Sequence, residues 1–195
     1  MPTTCSGPTL MKGARVVGAQ LVRRLLRRDD GSAAIEFGLV IVPFLGLLFA
    51  ILETALVFFA GQVLETAVAD SGRLILTGQA DAAGYNATTF KTQVCNRLLA
   101  LFDCTKLQLD VATATSFSSA NLSRPLVPDP LNPGKMKVDT SSFAYLSSSP
   151  GQIVVVRVIY EWPTFVKGLG LNLSDLSNGN RLLMSTAAFR NEPYK

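Results

Sequence analysis

The sequence contains no histidine. Histidine is the commonest general base near neutral pH and the commonest metal ligand, and a serine or cysteine nucleophile would lack its usual proton acceptor. The carboxylates are scattered, and no two have the spacing expected of a general acid–base pair. We therefore expect a protein that is not an enzyme, with no catalytic residues, no metal site and no cofactor.

Charged residues are also scarce, at 16% of the chain against about 25% in ordinary soluble domains. The net charge of +4 belongs to one segment, because residues 1–31 carry six basic and two acidic side chains and the rest carries twelve of each. A nucleic-acid-binding domain needs Lys and Arg spread over a folded face, so we expect no nucleic acid partner. Basic residues beside an apolar run are instead typical of the cytoplasmic side of a membrane segment.

An apolar run follows the basic segment. The sixteen residues from Phe37 to Leu52 carry no charge, and apolar residues resume after Glu53. A membrane span needs about 20 residues at about 1.5 Å each. The run over residues 33–59 is long enough if Glu36 and Glu53, the second intramembrane acid, lie near the two interfaces. A cleaved secretory signal is the alternative, but its apolar stretch is shorter, at about 7–15 residues.

Helical spacing of apolar residues continues beyond this run, now mixed with charged side chains. The pattern predicts one helix from about Ser32 to about Thr77, whose amphipathic second half must pack one stripe against another element. A second helix is predicted from Asn86 to Phe102, with Asn86 or Thr88 as its cap. Its apolar stripe consists of Phe90, Val94, Leu98 and Leu101.

Three later segments have the pattern of strands: 106–117, 152–162 and 181–190. The intervening residues 118–151 are rich in Ser, Pro and Asn and predict a long loop, with a short helix or edge strand over 138–146. The expected fold is α+β: a long N-terminal transmembrane helix continues into a small domain with a second helix and a three- to four-stranded antiparallel sheet. The amphipathic half of the long helix would cover one face of that sheet.

The charge and apolar patterns together predict three parts of the chain: a basic leader (residues 1–31), a transmembrane and amphipathic helix (32–78) and an α+β domain (79–195). Cys5 lies in the leader, whereas Cys95 and Cys104 lie in the domain. Two cysteines in an exported domain predict a disulfide. A loop of that size would stabilise the fold by about 2–3 kcal/mol.

The junction between leader and helix reads Gly31-Ser32-Ala33-Ala34-Ile35-Glu36-Phe37. A peptidase at the membrane surface needs a small residue before the bond, and cleavage after Gly31 would make Glu36 the fifth residue of the mature chain. Two interpretations of Glu36 stay open. It pairs with the terminal ammonium of a neighbouring subunit and sets the register of a filament, or it is an acidic residue that suits the start of a helix.

The run Gly-Ser-Ala-Ala-Ile-Glu-Phe-Gly-Leu-Val-Ile-Val-Pro-Phe-Leu resembles the N-terminus of TadE-like proteins, minor pseudopilins of tight-adherence (Flp-type) pilus machinery. Glu53, Ala67, Arg73 and the closing Arg190-Asn191-Glu192-Pro193-Tyr194 agree with the resemblance in order. A Tyr is common at the position of Phe37 in the major pilins of such systems, and Phe37 keeps the aromatic ring.

The resemblance implies cleavage between Gly31 and Ser32 by a prepilin peptidase, with Glu36 and Phe37 as the recognition pair after the site. The implied partners are that peptidase, other pilins or pseudopilins and the inner-membrane pilus platform. The implied location is the bacterial inner membrane, in a single pass, with the N-terminus cytoplasmic and the C-terminal domain periplasmic.

The function expected from these features is that of a non-enzymatic minor pseudopilin in pilus initiation or biogenesis. Two alternatives stay open: a scaffold of the pilus secretion machinery that is retained in the membrane, and a signal-anchored extracytoplasmic binding module. Incorporation into the fibre is also open, as is the start of the chain, at Met1 or Met11.

Overall fold

The computed structural model describes residues 32–166 and 172–193. Its first element is the 45-residue helix α1, Ser32–Leu76, which continues without a break through Pro43. Membrane helices tolerate a proline because neighbouring groups satisfy the freed carbonyl. Gly78 follows the helix with a φ of 73°, a conformation that suits glycine. The predicted long helix is confirmed.

The chain divides into two compact units, Met1–Leu48 and Phe49–Lys195. The described part of the first unit is helical throughout. The second unit holds the remainder of α1 and two short helices, α2 (Gln79–Ala82) and α3 (Ala87–Cys95). Its five strands are β1 (Gln108–Ala114), β2 (Leu126–Pro128), β3 (Met136–Val138), β4 (Ile153–Pro163) and β5 (Asn180–Arg190).

The larger sheet has the order β1-β4-β5 and is antiparallel throughout, so the predicted α+β fold is confirmed. Val156 of β4 lies opposite Val111 of β1 and Ala187 of β5. Central strand β4 is rich in valine and is buried on both faces, which is the pattern of a strand covered by layers on each side.

The first of these layers is the second half of α1. Its buried residues recur every three or four positions, with Val68 beside Ala67: Ala50, Glu53, Val57, Ala60, Leu64, Ala67, Val68, Ser71 and Ile75. The apolar members of this stripe from Val57 to Ile75 share one core with Val154, Val156 and Val158 of β4, as the amphipathic pattern predicted. The approach is close at Gly72, where a Cβ atom would lie 3.1 Å from Cε1 of Phe189.

The second layer covers the opposite face of the sheet. It contains Ile159, Leu176 and Leu182, with side chains from β2 and β3 packed around them. Strands β2 and β3 form a small antiparallel sheet of their own. The long loop predicted over residues 118–151, with a short helix or edge strand over 138–146, instead contains β2 and β3. Strands of three residues are too short to show an alternating pattern in the sequence.

Asp110 and Arg157 lie in this second layer and form a buried ion pair. Nη2 of Arg157 donates to Oδ2 of Asp110 at 2.6 Å, and Nε donates to the same oxygen at 3.0 Å. The other carboxylate oxygen accepts from the amide of Ala144 at 3.0 Å, and the guanidinium lies 5.6 Å from the ring centre of Phe143. Asp110 is therefore buried, at 2% exposed, because Arg157 and the amide of Ala144 satisfy its carboxylate.

Two elements predicted from the sequence are shorter in the structure. The second helix ends at Cys95 rather than Phe102, because the amides of Arg97 and Leu98 bond three residues back and tighten the chain into turns. Leu101, expected on the buried stripe, is 48% exposed. Strand β1 is shorter than residues 106–117, because a 3-10 turn lies on each side of it.

Candidate assembly surface and its supporting contacts

The first half of α1 presents an apolar surface. None of the described side chains over residues 33–49 is buried. More than half of the side-chain surface is exposed at Ile35, Phe37, Leu39, Val40, Val42, Phe44, Leu47 and Phe49. Among the described residues, α1 is the one helix long and apolar enough to cross a membrane, and its most apolar 18-residue window has a mean hydropathy of 2.5. By length and composition it is a single-pass membrane anchor.

The predicted cleavage boundary lies at the start of this surface. Gly31 is outside the described residues, and Ser32 is the first residue of α1. Glu36 and Phe37 lie about one turn further along, and both side chains are exposed. Adjacent residues on a helix point about 100° apart, so another protein can contact the carboxylate and the ring separately. The roles of Gly31, Ser32, Glu36 and Phe37 remain predictions.

Glu53 is in a different environment from Glu36, because its side chain is only 7% exposed. Its carboxylate accepts hydrogen bonds from two successive backbone amides: Oε1 from the N–H of Phe165, and Oε2 from the N–H of Val166 at 3.0 Å. A carboxylate on an apolar helix is costly to desolvate unless donors satisfy it. The two amides satisfy this one and tie the end of β4 to α1.

The residues after β4 are held at a second point as well. The hydroxyl of Thr164 donates to the carbonyl of Gly179, just before β5, at 2.6 Å. Thr164 is 6% exposed, whereas the next side chain, Phe165, is 80% exposed. The backbone on both sides of the Phe165 Cα is therefore fixed while its ring points away from the domain. The sequence carried no signal for these contacts, because any residue type except proline supplies a backbone amide.

Cys95 and Cys104 form a disulfide, with their Cα atoms 5.9 Å apart. Cys95 ends α3, and Cys104 begins a 3-10 turn that precedes β1. Asp103 caps this turn by accepting from the hydroxyl and the amide of Thr105, and these bonds lower the pKa of its carboxyl group. The bridge therefore ties the end of α3 to the start of the sheet.

The closing Asn-Glu segment supports the other end of α1. The amide of Glu192 donates to the carbonyl of Leu76, the last residue of α1, at 3.0 Å. Asn191 is 3% exposed, and its side chain donates to Oγ of Ser148 at 2.7 Å. The sequence resemblance included this segment without a role, and the geometry gives it a structural one: it satisfies a helix-end carbonyl that would otherwise lack a partner.

Over residues 32–166 and 172–193, no three His, Cys, Asp or Glu side chains are grouped so as to hold a metal ion. The buried charges of this region make structural contacts, Glu53 with backbone amides and Asp110 with Arg157. These contacts link elements that lie far apart in the sequence.

Comparison with known families agrees with this picture at the N-terminal end. The TadE-like protein family matches residues 31–73, which cover most of α1 and none of the strands. No curated protein matches the chain, and no solved structure does. The matched family is pilus-associated and generally structural rather than enzymatic. The predicted resemblance to TadE-like proteins is therefore confirmed over residues 31–73, the segment that holds the candidate cleavage site and most of α1.

Proposed function

We propose that this protein is a minor pseudopilin of a tight-adherence pilus system, processed after Gly31 and acting in pilus initiation or biogenesis. The observation that carries the proposal is the match to the TadE-like family, which begins at residue 31 and covers most of α1. Cleavage after Gly31 would thus leave a chain that opens with this apolar helix.

The exposed surface of α1 supports an assembly role. The large apolar side chains over residues 33–49 are mostly exposed in the described chain, and a surface of this kind is stable in lipid or against other apolar helices. Before assembly the bilayer covers it, and in a filament the helices of neighbouring subunits replace the lipid. The protein is then inserted in the inner membrane with its α+β domain in the periplasm.

Glu36 has a specific part in this proposal. After cleavage its carboxylate would lie about one turn from the new terminal ammonium of Ser32, so the two opposite charges of adjacent subunits can pair in an apolar environment. A paired charge costs less to desolvate than an isolated one, and a single polar contact among apolar neighbours defines a register. The exposed position of Glu36 on α1 is compatible with such a contact.

N-terminal sequencing of the protein from its native membrane tests the processing step. A terminus at Ser32 is the expected result, and Gly31→Leu should leave residues 1–31 attached because a side chain blocks the peptidase. Unprocessed wild-type protein in cells with active prepilin peptidase would contradict the proposal.

The assembly step needs a separate measurement, pilus yield from a strain that carries Glu36→Ala. We expect processed protein but few pili. Glu65→Ala is the matched control, because Glu65 is an exposed acid further along the same helix, and its loss should leave the yield unchanged. Wild-type protein that stays in the membrane fraction and never accompanies sheared pili would favour the retained scaffold.

A further inference from the structure

We propose that the segment Pro163–Val166, after β4, is a membrane-interface anchor, with Phe165 inserted into the outer leaflet of the bilayer that α1 spans. Its partner is the lipid surface, at the boundary between head groups and acyl chains. The inference requires α1 to cross a bilayer and does not depend on the pilus role.

The position of the outer boundary follows from the length of α1. A hydrocarbon core of about 30 Å is crossed by about 20 helical residues. Counted from Phe37, the first residue of the uncharged run, those residues end at Leu56. Glu53 lies less than one turn before that point, at the outer edge of the hydrocarbon. Its carboxylate would be costly at this depth without donors.

The amides of Phe165 and Val166 are those donors. Because both bond the Glu53 carboxylate directly, they must lie at the same depth as that carboxylate. The segment that supplies them carries no charged side chain from Pro163 to Val166. The side chains of this segment therefore lie at the depth of the Glu53 carboxylate without placing a charge there.

The exposure of the side chains agrees with a lipid environment. Phe165 is 80% exposed, and on α1 at the same level Leu52 and Leu56 are about half exposed. Large apolar side chains on a protein surface mark an interaction site when they are contiguous. Leu52 and Leu56 lie within one turn of Glu53, which bonds the amide of Phe165, and aromatic rings favour the interface region of a bilayer. The lipid that surrounds α1 is thus the occupant that the geometry favours.

Glu53 is the positioning residue in this arrangement. Its two hydrogen bonds, with that of Thr164 to Gly179, hold the backbone so that the Phe165 ring points outward. The anchor is therefore formed before contact with lipid, and ordering it costs little when the ring inserts.

The test places a single tryptophan at the anchor. Trp162 is the one native tryptophan, so the full chain carrying Trp162→Phe and Phe165→Trp is reconstituted in phosphatidylcholine vesicles. Brominated acyl chains report contact with lipid, and acrylamide reports contact with water. Leu131→Trp in the same background is the matched control, because Leu131 is 86% exposed but lies in the β2–β3 connection. Carbonate extraction checks separately that α1 is inserted.

We expect brominated lipid to quench the tryptophan at 165 several-fold more than the one at 131, with the reverse order for acrylamide. Adding Glu53→Ala should remove the difference, whereas Glu53→Gln, which keeps one acceptor oxygen, should preserve part of it. Equal acrylamide quenching at the two positions in inserted protein would overturn the proposal. Protection of the tryptophan at 165 from both quenchers would also overturn it, since protein rather than lipid would then cover the ring.

Discussion

The two halves of α1 share one helix and similar chemistry but differ in burial. Over residues 33–49 no described side chain is buried, whereas from Ala50 onward one residue in every three or four is buried. Each half contains a leucine, a glutamate and a glycine that can be compared: Leu47 with Leu64, Glu36 with Glu53, and Gly38 with Gly72. The same residue type should therefore contribute differently to stability at an exposed and at a buried position of α1. Each pair gives one prediction of that difference.

The leucine pair should show the largest difference. Leu64 is 1% exposed and Leu47 is 55% exposed. Leu64→Ala should lower the free energy of unfolding of the domain by about 2–5 kcal/mol, because it leaves a cavity in the core. Leu47→Ala should change it by less than about 0.5 kcal/mol. Urea unfolding of the full chain in detergent, followed by the fluorescence of the buried Trp162, measures both, and equal losses would contradict the comparison.

The two glutamates should differ in the property they affect: Glu53 should affect the stability of the domain, and Glu36 should affect pilus assembly. Glu53→Ala should lower the free energy of unfolding by about 1–3 kcal/mol, because it leaves the amides of Phe165 and Val166 without their acceptor. Glu36→Ala should leave the domain stability unchanged and reduce pilus yield instead. The same urea titration, with pilus yield in parallel, checks the pair, and a stable Glu53→Ala domain would show that water or other groups replace the carboxylate.

The glycine pair should show a smaller difference. A Cβ atom at Gly72 would lie 3.1 Å from Cε1 of Phe189, whereas nothing lies within 4 Å of one at Gly38. Gly72→Ala should lower the free energy of unfolding by about 1 kcal/mol, because crowding outweighs the gain in helix propensity. Gly38→Ala should leave the domain unaffected. Adding Phe189→Leu should recover part of the loss at Gly72, since the shorter side chain makes room, and a double-mutant cycle measures that coupling.

The smallest expected effect is the loss of stability at low pH that protonation of Asp129 causes. The side-chain hydrogen bonds of Asn132 and Ser177 and the amide of Leu131 lower the pKa of Asp129 from 3.8 to about 2. Because the folded pKa lies below the unfolded one, the stabilisation is complete above pH 3.8 and is lost as the pH falls toward 2. Asp129→Asn should flatten the decline of stability over that interval.

Thermal unfolding of wild type and Asp129→Asn from pH 5 to pH 2 measures this difference. Asn132→Ala is the companion variant, because it removes the donor with the largest effect on the Asp129 pKa. A wild-type profile as flat as that of Asp129→Asn would show that the carboxyl group does not contribute.

The same contrast explains which features could be predicted from the sequence. Features set by local periodicity were predicted well. Helix α1 was expected to end at about Thr77 and ends at Leu76, and β4 and β5 were each predicted to within one residue at both ends. Asn86, one of the two residues predicted as the cap of α3, accepts from the amide of Thr89 at 3.0 Å. Each depends on neighbours within a few positions, so the residue order is sufficient.

Features that depend on distant neighbours were not predicted. The end of α3 depends on turns that lead to Cys104, and strands β2 and β3 gain stability from the sheet face they cover rather than from their own pattern. The buried position of Asp110 depends on Arg157, 47 residues away. In each case packing overrides the local preference of the residues.

The sequence by itself determined three features: a basic segment that ends at Gly31, an apolar helix that follows it, and a neutral α+β domain. Net charge and hydrophobic periodicity depend only on the order of the residues. Only the tertiary structure decided that Glu53 belongs to the domain. Its partners are backbone amides more than 110 residues away, and an amide has the same chemistry whatever side chain it precedes. The two acids of α1 look alike in the sequence and differ because the backbone after β4 bonds Glu53, whereas the side chain of Glu36 is exposed.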